Sequence, residues 1–251
     1  MKFFPPLFLL LALALPAAAQ GTEDFVSADR PGMSTGTDIV PRHALQWETG
    51  LSFLRDDGLR SFNWNNSLLR FGLCPWMELR LEANLTQERQ TRPAEIDIFG
   101  LEPLSLGTKI RIWEGDGPLP AIAVLCNAVL PVSSPAFRPD KPGASLTLLG
   151  EHNFTDAFCV GWNLGSIWDR IDTEPAGYAA LCVSYGFTGR LGAFVESNNF
   201  FRKGDAPQYL VEGGVTFHPS PRVQLDVYGD LSASAFKSWY GVGAGITWLI
   251  F

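Results

Sequence analysis

The sequence predicts an all-β fold, a transmembrane antiparallel β-barrel of about 12 strands preceded by a cleaved signal peptide. Apolar and polar residues alternate with a period of two along most of the chain, and helical spacing is scarce. A secretory leader opens the chain, and its last alternating segment ends on an aromatic residue, Phe251. We expect that segment to pair with the first strand, because hydrocarbon supplies no partner for an open sheet edge.

Residues 1–19 are predicted to be the signal peptide. Lys2 supplies the positive start, residues 7–15 the apolar stretch, and the three alanines at 17–19 the cleavage site, which leaves Gln20 as the new N-terminus. The apolar run is shorter than the roughly 20 residues that a membrane-spanning helix needs. The sequence therefore favours export over anchoring by a helix.

The mature chain is expected to form one unit, because no linker or change of composition divides it. We assign residues 20–42 to an N-terminal periplasmic segment and residues 43–251 to an outer-membrane β-barrel. Loss of the leader lowers the formal net charge from −7 to −8. That balance argues against nucleic acid as a partner, since a basic surface supplies most of that affinity.

The clearest strand covers residues 77–86, in which Leu79 and Leu81 point to one face and Glu78 and Arg80 to the other. Twelve such strands are predicted, near 43–54, 60–73, 77–87, 103–113, 120–131, 144–152, 157–168, 177–187, 190–197, 207–218, 222–233 and 239–251. Tight links alternate with longer polar stretches, the latter at 88–102, 132–143, 169–176 and 198–206. This is the barrel habit of short periplasmic turns and long outer loops.

Aromatic residues fall near both predicted rims, as expected for the two lipid–water boundaries. They are Phe158, Phe187, Phe217, Trp248 and Phe251 at the periplasmic rim and Phe62, Trp64, Trp168, Trp239 and Tyr240 at the outer rim. A soluble β-sandwich, the competing fold, would place large aromatics in mid-strand. Two stretches fit poorly. Residues 121–129 are apolar on both faces, and residues 62–73 change parity, which a β-bulge would explain.

Six short motifs resemble, in order, the outer-membrane transporter family related to the phenol meta-cleavage pathway. They are SADRPG at 27–32, LQWETG at 45–50, LLRFGL at 68–73, MELRL at 77–81, LGTKI at 106–110 and QLDV at 224–227. The resemblance spans nearly the whole mature chain, although the tail at 247–251 is more apolar than the family's usual ending. It implies a barrel that admits small, often aromatic or hydrophobic compounds.

One group of candidate pore-lining residues carries charges of both signs. Glu78, Arg80 and Glu82 on the third predicted strand should face Lys109 and Arg111 on the fourth, because the two form an antiparallel hairpin. Such a wall would either select solutes by its field or form salt bridges that fill the lumen. We favour the second interpretation, because an unpaired buried charge costs several kcal/mol, roughly.

A second group of candidate pore-lining residues is acidic and contains Glu48, Glu212, Asp226 and Asp230. Barrel closure brings these strands together, so that the four carboxylates predict a cation-attracting sector. Arg70 and Arg190 are basic residues that could neutralise it. If the sector attracts cations, Asp226→Asn together with Asp230→Asn should abolish the cation preference of the channel.

No catalytic site, metal site or cofactor is predicted. Outer-membrane lipid hydrolases resemble one another in placing a histidine two residues before a nucleophilic serine, and none of His43, His152 and His218 has that spacing. Three scattered histidines more often satisfy local hydrogen bonds than bind a metal. The four cysteines lie in separate strands or next to a turn, without metal-ligand spacing, and are interpreted as apolar filler.

The sequence thus predicts a passive channel for small solutes in the outer membrane of a Gram-negative-type cell. The alternatives are a non-conducting structural or adhesive barrel and, less favoured, a lipid hydrolase. The expected partners are outer-membrane lipid and lipopolysaccharide, the barrel-assembly machinery and the solutes themselves.

Overall fold

The computed structural model describes residues 25–90, 95–116, 119–233 and 239–251. The predicted leader lies outside this described part. Within it, no helix is long and apolar enough to cross a membrane. The strands are β1 (Leu45–Asp56), β2 (Leu59–Cys74), β3 (Met77–Gln90), β4 (Ile96–Leu101), β5 (Ser105–Trp113), β6 (Ala121–Val129), β7 (Gly143–Asn153), β8 (Phe158–Trp168), β9 (Ala176–Gly186), β10 (Leu191–Phe201), β11 (Gln208–Ser220), β12 (Val223–Ser232) and β13 (Trp239–Leu249), with one 3₁₀ turn at Pro135–Phe137.

The strands close into a single antiparallel barrel. β1 pairs with β2 on one side and with β13 on the other, which joins the two ends of the sheet. β3 pairs with β5 along its first half and with β4 along its second half. The short strands β4 and β5 therefore share one place in the wall, and the barrel has the twelve places that the sequence predicts.

One predicted loop is wrong. Residues 88–102 contain the end of β3 and all of β4, which pair from Gln90 with Ile96 to Leu85 with Leu101. Asp97 accepts hydrogen bonds from the side chains of Gln87 and Arg89 across this pair. The polar composition that indicated a loop belongs to a hairpin that continues the wall on the outer side.

Two local irregularities have simple causes. β1 and β2 are joined by Asp57 and Gly58, both with positive φ (35° and 97°), as a two-residue hairpin requires. The pairing of β2 with β3 then shifts between Asn63 and Asn65, so Trp64 is an extra residue in β2. This bulge confirms the expected change of parity in the second strand.

The outer face of the barrel carries the apolar set of each alternating strand. Leu79 is 44% exposed and Val227 is 52% exposed, whereas their neighbours Glu78 and Asp226 are buried. The same parity holds for Leu51, Leu106, Leu146, Leu164, Leu181, Val195, Val211 and Val242. An exposed belt of aliphatic side chains around a buried polar interior is the arrangement that a bilayer requires.

The inner face is mainly polar, and one small apolar cluster interrupts it. Ala123 and Leu125 of β6 and Leu149 of β7 pack together and are buried. This cluster explains why β6 is apolar on both faces. Elsewhere the inner face carries mostly charged, amide and hydroxyl side chains, with Phe194 and Leu210 among its buried apolar residues.

Residues 25–42, which we call the luminal segment, lie inside the barrel. The sequence predicts a periplasmic position for residues 20–42, of which residues 20–24 lie outside the described part of the chain. The structure brings the luminal segment into hydrogen-bonding contact with inward side chains of several strands. Because the segment forms no strand, its backbone N–H groups need other hydrogen-bond partners, and inward carboxylates accept from several of them.

Candidate functional site

The luminal segment enters and leaves the barrel at the rim where both ends of the barrel wall lie. At its start, the N–H of Val26 donates to the carbonyl of Pro221 in the turn between β11 and β12, at 2.7 Å. At its end, Arg42 forms a bridge with Gly72 at the end of β2. Barrel topology makes this the periplasmic rim. The middle of the segment therefore reaches into the lumen from the periplasmic side.

Asp29 is the centre of a buried ionic cluster between the luminal segment and the wall. Its carboxylate contacts the Lys109 ammonium at 2.9 Å, forms an ion pair with Arg80, and lies 3.5 Å from Arg70. Burial acts to raise the pKa of Asp29, but the three cations together outweigh burial and hold that pKa well below its usual range. Asp29 is therefore a charged anchor of the segment.

Arg70 joins two wall carboxylates to the same cluster. Its guanidinium, which is fully buried, donates to Glu48 at 2.9 Å and to both oxygens of Glu78 at 2.9 Å. It also donates to the backbone carbonyl of Asp38 at 3.0 Å. The N–H of Val40 also donates to Glu78, at 2.9 Å. The cluster therefore binds the luminal segment both near its start, at Asp29, and near its end, at Val40.

Arg30 reaches β12, which is separated from β1 by β13 in the barrel wall. It binds the Asp226 carboxylate through two N–H groups, at 3.0 and 3.2 Å. A Cβ added to Gly50 or Gly245 would lie 2.5 or 2.2 Å from the Arg30 Nη2 atom. Glycine at these two positions therefore makes room for the guanidinium.

The tip of the luminal segment binds β8 and β10. Glu196 accepts hydrogen bonds from the N–H groups of Met33 at 2.7 Å and Ser34 at 3.3 Å. Asn163 pairs with the backbone of Thr35 in both directions, donating at 2.9 Å and accepting at 2.8 Å. Wall side chains thus take the place of a strand partner for this backbone.

A cavity of about 870 Å³ lies above the luminal segment, toward the outer loops. We call it the vestibule. Its floor includes Arg30, Gly32 and Met33, and its upper wall includes Phe200 and Trp239. Further lining residues are Phe53, Asn66, Leu68, Glu82, Asn84, Glu102, Asn127, Tyr178, Glu212, Tyr228 and Asp230. The vestibule is therefore mixed in polarity and richer in acids than in bases.

The structure assembles only part of the predicted mixed-charge wall. Glu78 lies directly opposite Lys109, with 3.9 Å between the charged atoms, and Arg80 binds Glu78 at 2.9 Å. Glu82 lies opposite a serine and is exposed in the vestibule. Arg111 binds Glu114 and a backbone carbonyl near the periplasmic rim. Glu82 and Arg111 therefore lie apart from the cluster.

The predicted acidic group is divided by its partners. Glu48 is paired with Arg70, as the sequence suggested, and Asp226 with Arg30. Arg190, the other predicted partner, is exposed. Within the described residues, Glu212 and Asp230 take part in no salt bridge. A pore-lining role for any of these residues stays a prediction.

Sequence reasoning missed the roles of Asp29, Arg30 and Glu196. A charge count along the inner faces gave a usable signal, since Arg70, Arg80 and Lys109 exceed the two wall acids that face them. The excess called for one more carboxylate, and Asp29 supplies it. Glu196 gave no such signal, because its partners are mainly backbone N–H groups and an amide.

Other predicted features fall outside this network. The four cysteines are free. His152 stacks on Phe154, and His218 packs against Phe25. In the part of the chain that the structure describes, no group of His, Cys, Asp and Glu side chains is placed to hold a metal ion.

Comparison with known proteins places this barrel in a class. The COG4313 outer membrane channel from Pseudomonas putida F1 is similar in structure, with a TM-score of 0.66 and 12% identity over 88% of this chain and 99% of that one. The KdgM porin, solved in complex with disordered oligogalacturonate, gives 0.58 and 10% over 81% and 99%. The NanC porin gives 0.57 and 7% over 81% and 100%. These similarities show the fold, that of an outer-membrane β-barrel.

A family model described as "Putative MetA-pathway of phenol degradation" matches residues 28–249. Because the match covers most of the chain, the protein belongs to this family, and the resemblance drawn from the sequence motifs is confirmed. Comparison with the curated proteins finds no match. These three similar structures are one channel and two porins.

Proposed function

We propose that this protein is a passive channel for small solutes across the outer membrane. The observation that carries the proposal is the vestibule, about 870 Å³ of space inside a closed barrel, between the outer loops and the luminal segment. The channel and the porins that share this fold support it. A cavity of this size suits a small organic molecule.

We propose that the solutes include small aromatic or hydrophobic compounds with a polar group. Phe53, Leu68, Phe200 and Trp239 offer apolar contact in the vestibule, and Asn127 and its polar neighbours offer hydrogen bonds. The family's description, which concerns phenol degradation, supports an aromatic solute. Passage to the periplasm then requires a path past the luminal segment, so the ionic cluster would limit the rate.

Liposome swelling with solutes of graded size and polarity tests the channel. We expect proteoliposomes to admit small solutes faster than protein-free liposomes, with the rate falling as solute size rises. A folded barrel that adds no permeability for any solute would instead support the non-conducting alternative. Folding is checked on the same sample by the shift in gel mobility on heating.

We further propose that the protein catalyses no reaction and needs no cofactor. The contacts of His152 with Phe154 and of His218 with Phe25 supply structural roles for these two rings. Purified protein in detergent should release no fatty acid from phospholipid. Release of fatty acid would contradict the proposal. Loss of that release on substitution of a histidine would assign the hydrolase site to that residue, and release that survives each substitution would point to another site.

The remaining partners follow from the membrane. We propose that residues 1–19 are removed on export, that the barrel-assembly machinery inserts the chain, and that its belt contacts lipid and lipopolysaccharide. At the outer rim, Arg202 binds Asp169 and Lys203 binds Glu174, which leaves these cations less available to lipopolysaccharide phosphate. N-terminal sequencing of the mature protein should begin at Gln20.

A further inference from the structure

Within the described residues, two neighbouring carboxylates in the vestibule have no basic side chain paired with them. Glu212 of β11 and Asp230 of β12 lie directly opposite each other on the inner face. Glu212 is only 2% exposed. Its Oε1 atom and the Oδ1 atom of Asp230 are buried and have no hydrogen-bond partner. Buried carboxylate oxygens without partners are costly, so each calls for an explanation.

The nearby acids show what these two lack. Glu196, which faces Glu212 from β10, accepts hydrogen bonds from the luminal segment. Asp226 is held by Arg30. That guanidinium is already committed to Asp226 and lies 6.0 Å from the centre of the Tyr228 ring. Among the described residues, the cation beside this wall therefore serves another carboxylate.

The surroundings of the pair form a pocket rather than a crowded interior. Glu212, Asp230, Tyr178 and Tyr228 all line the vestibule, and both tyrosines lie close enough to Glu212 to interact with its charge. A Cβ added to Gly241 would lie 2.0 Å from Asp230 Oδ1. The Oδ1 atom of Asp230 therefore packs against the backbone of β13, where glycine leaves it room.

The chemistry of the pocket favours an organic cation over a metal ion. In the described part of the chain, no group of acidic, histidine and cysteine side chains is arranged for metal binding. An ammonium group carries three N–H donors, enough to bind two neighbouring carboxylates at once. The tyrosine rings can add cation–π attraction or apolar contact.

We propose that Glu212 and Asp230, flanked by Tyr178 and Tyr228, form a subsite that binds the ammonium group of a small aromatic amine in the vestibule. The subsite deepens the proposed channel function and rests on it, because it names a cationic class of solute. Its occupation is a binding equilibrium, however, and can be measured without any transport.

Isothermal titration calorimetry on the purified full chain in non-ionic detergent tests the subsite. The probes are phenethylammonium, the neutral 2-phenylethanol and the anionic 3-phenylpropionate, which share a ring and differ in charge. We expect phenethylammonium to bind at least about tenfold more tightly than either of the others, as a charged hydrogen bond at a buried site implies.

Single-charge variants identify the residues. Glu212→Gln and Asp230→Asn should each weaken phenethylammonium binding about tenfold or more. Glu82→Gln is the matched control, because it removes the same charge from an exposed carboxylate in the same vestibule. Its affinity should stay within about twofold of the wild type, since exposed charges are screened. Heat-dependent gel mobility confirms that each variant is folded.

Three results would overturn the subsite: no measurable binding of phenethylammonium to the folded wild type, equal affinity for the neutral probe, or an equal loss in Glu82→Gln and Glu212→Gln. The last would mean a diffuse field in place of a site. Failure of the channel has a different signature, because swelling would then be absent while selective binding persisted.

Discussion

The carboxylates on the two sides of the inner wall differ in their partners. On the side of β1 to β5, Glu48 and Glu78 share Arg70, and Asp29 completes the cluster with Arg80 and Lys109. On the side of β10 to β12, Glu196 is met by backbone N–H groups and an amide, and Glu212 and Asp230 keep unpartnered oxygens.

This difference separates a structural region from a candidate binding region. The side of β1 to β5 fixes the luminal segment, because the charges on this side are buried and mutually satisfied. The acidic side borders the vestibule and leaves unused hydrogen-bonding capacity there. On the side of β10 to β12, Glu196 and Asp226 also hold the luminal segment, whereas Glu212 and Asp230 are available to a solute.

Of the substitutions considered, removal of Arg70 should destabilise the side of β1 to β5 most. Arg70→Met keeps the aliphatic stem but leaves Glu48 and Glu78 without their main cation, so the free energy of unfolding should fall by about 3–5 kcal/mol. Urea unfolding in lipid vesicles, followed by tryptophan fluorescence, measures it. Arg89→Met is the control. Its ion pair with Asp97 is 62% and 57% exposed, so the loss should be no more than about 1 kcal/mol.

Asp29→Asn should have the next largest effect, about 2–3 kcal/mol, because three cations lose a charged partner. The pKa of Asp29 is held low in the folded protein, so its contribution is complete above the unfolded pKa and is lost as the pH falls toward the folded one. The difference from the wild type should therefore be constant from about pH 7 to pH 5 and shrink below about pH 4.

The control for Asp29 lies in the same segment. The side chain of Asp38 is exposed, and Asp38→Asn should change the free energy of unfolding by no more than about 0.5 kcal/mol. If the two variants proved equally stable, or the Asp29 difference did not vary with pH, the ionic anchor would be disproved.

The barrel was readable from the sequence because its signal is repetitive. Alternation in strands such as β3 and β12 assigns each side chain to lipid or lumen, and twelve places follow from counting. The hairpin between β3 and β4 was missed, because the polar composition of residues 88–102 resembles that of a loop. Its pairing depends on a neighbouring strand that composition does not reveal.

The site could be predicted only in part, because the luminal segment around which it forms has no periodic pattern in the sequence. The luminal segment is held by contacts such as Arg30 with Asp226, which are separated by 196 positions in the chain. No local pattern specifies a partner at that distance. The inward direction of Glu212 and Asp230 could be predicted, and their lack of a partner depends on where Arg30 goes.

Gly245→Ala tests the place where the two sides of the wall meet, at Arg30. The new Cβ would lie 2.2 Å from Arg30 Nη2, so the guanidinium must move from Asp226, at a cost of about 1–3 kcal/mol. Gly229→Ala is the control, since its nearest heavy atom would be 3.6 Å away. Equal unfolding free energies for both variants would show that Arg30 is not confined by the glycine.

Glu82→Gln should have the smallest effect and separates the vestibule's general field from its specific contacts. Because Glu82 is exposed, we expect a change in unfolding free energy below about 0.5 kcal/mol. Its charge still contributes to the local potential, so the cation-to-anion permeability ratio should fall by less than about twofold. Reversal potentials in a KCl gradient measure this ratio. Glu114→Gln, at the periplasmic rim and 78% exposed, should leave it unchanged. A larger loss in Glu82→Gln than in Glu212→Gln would place the dominant charge on the wall of β3, and the division between the two sides would have to be redrawn.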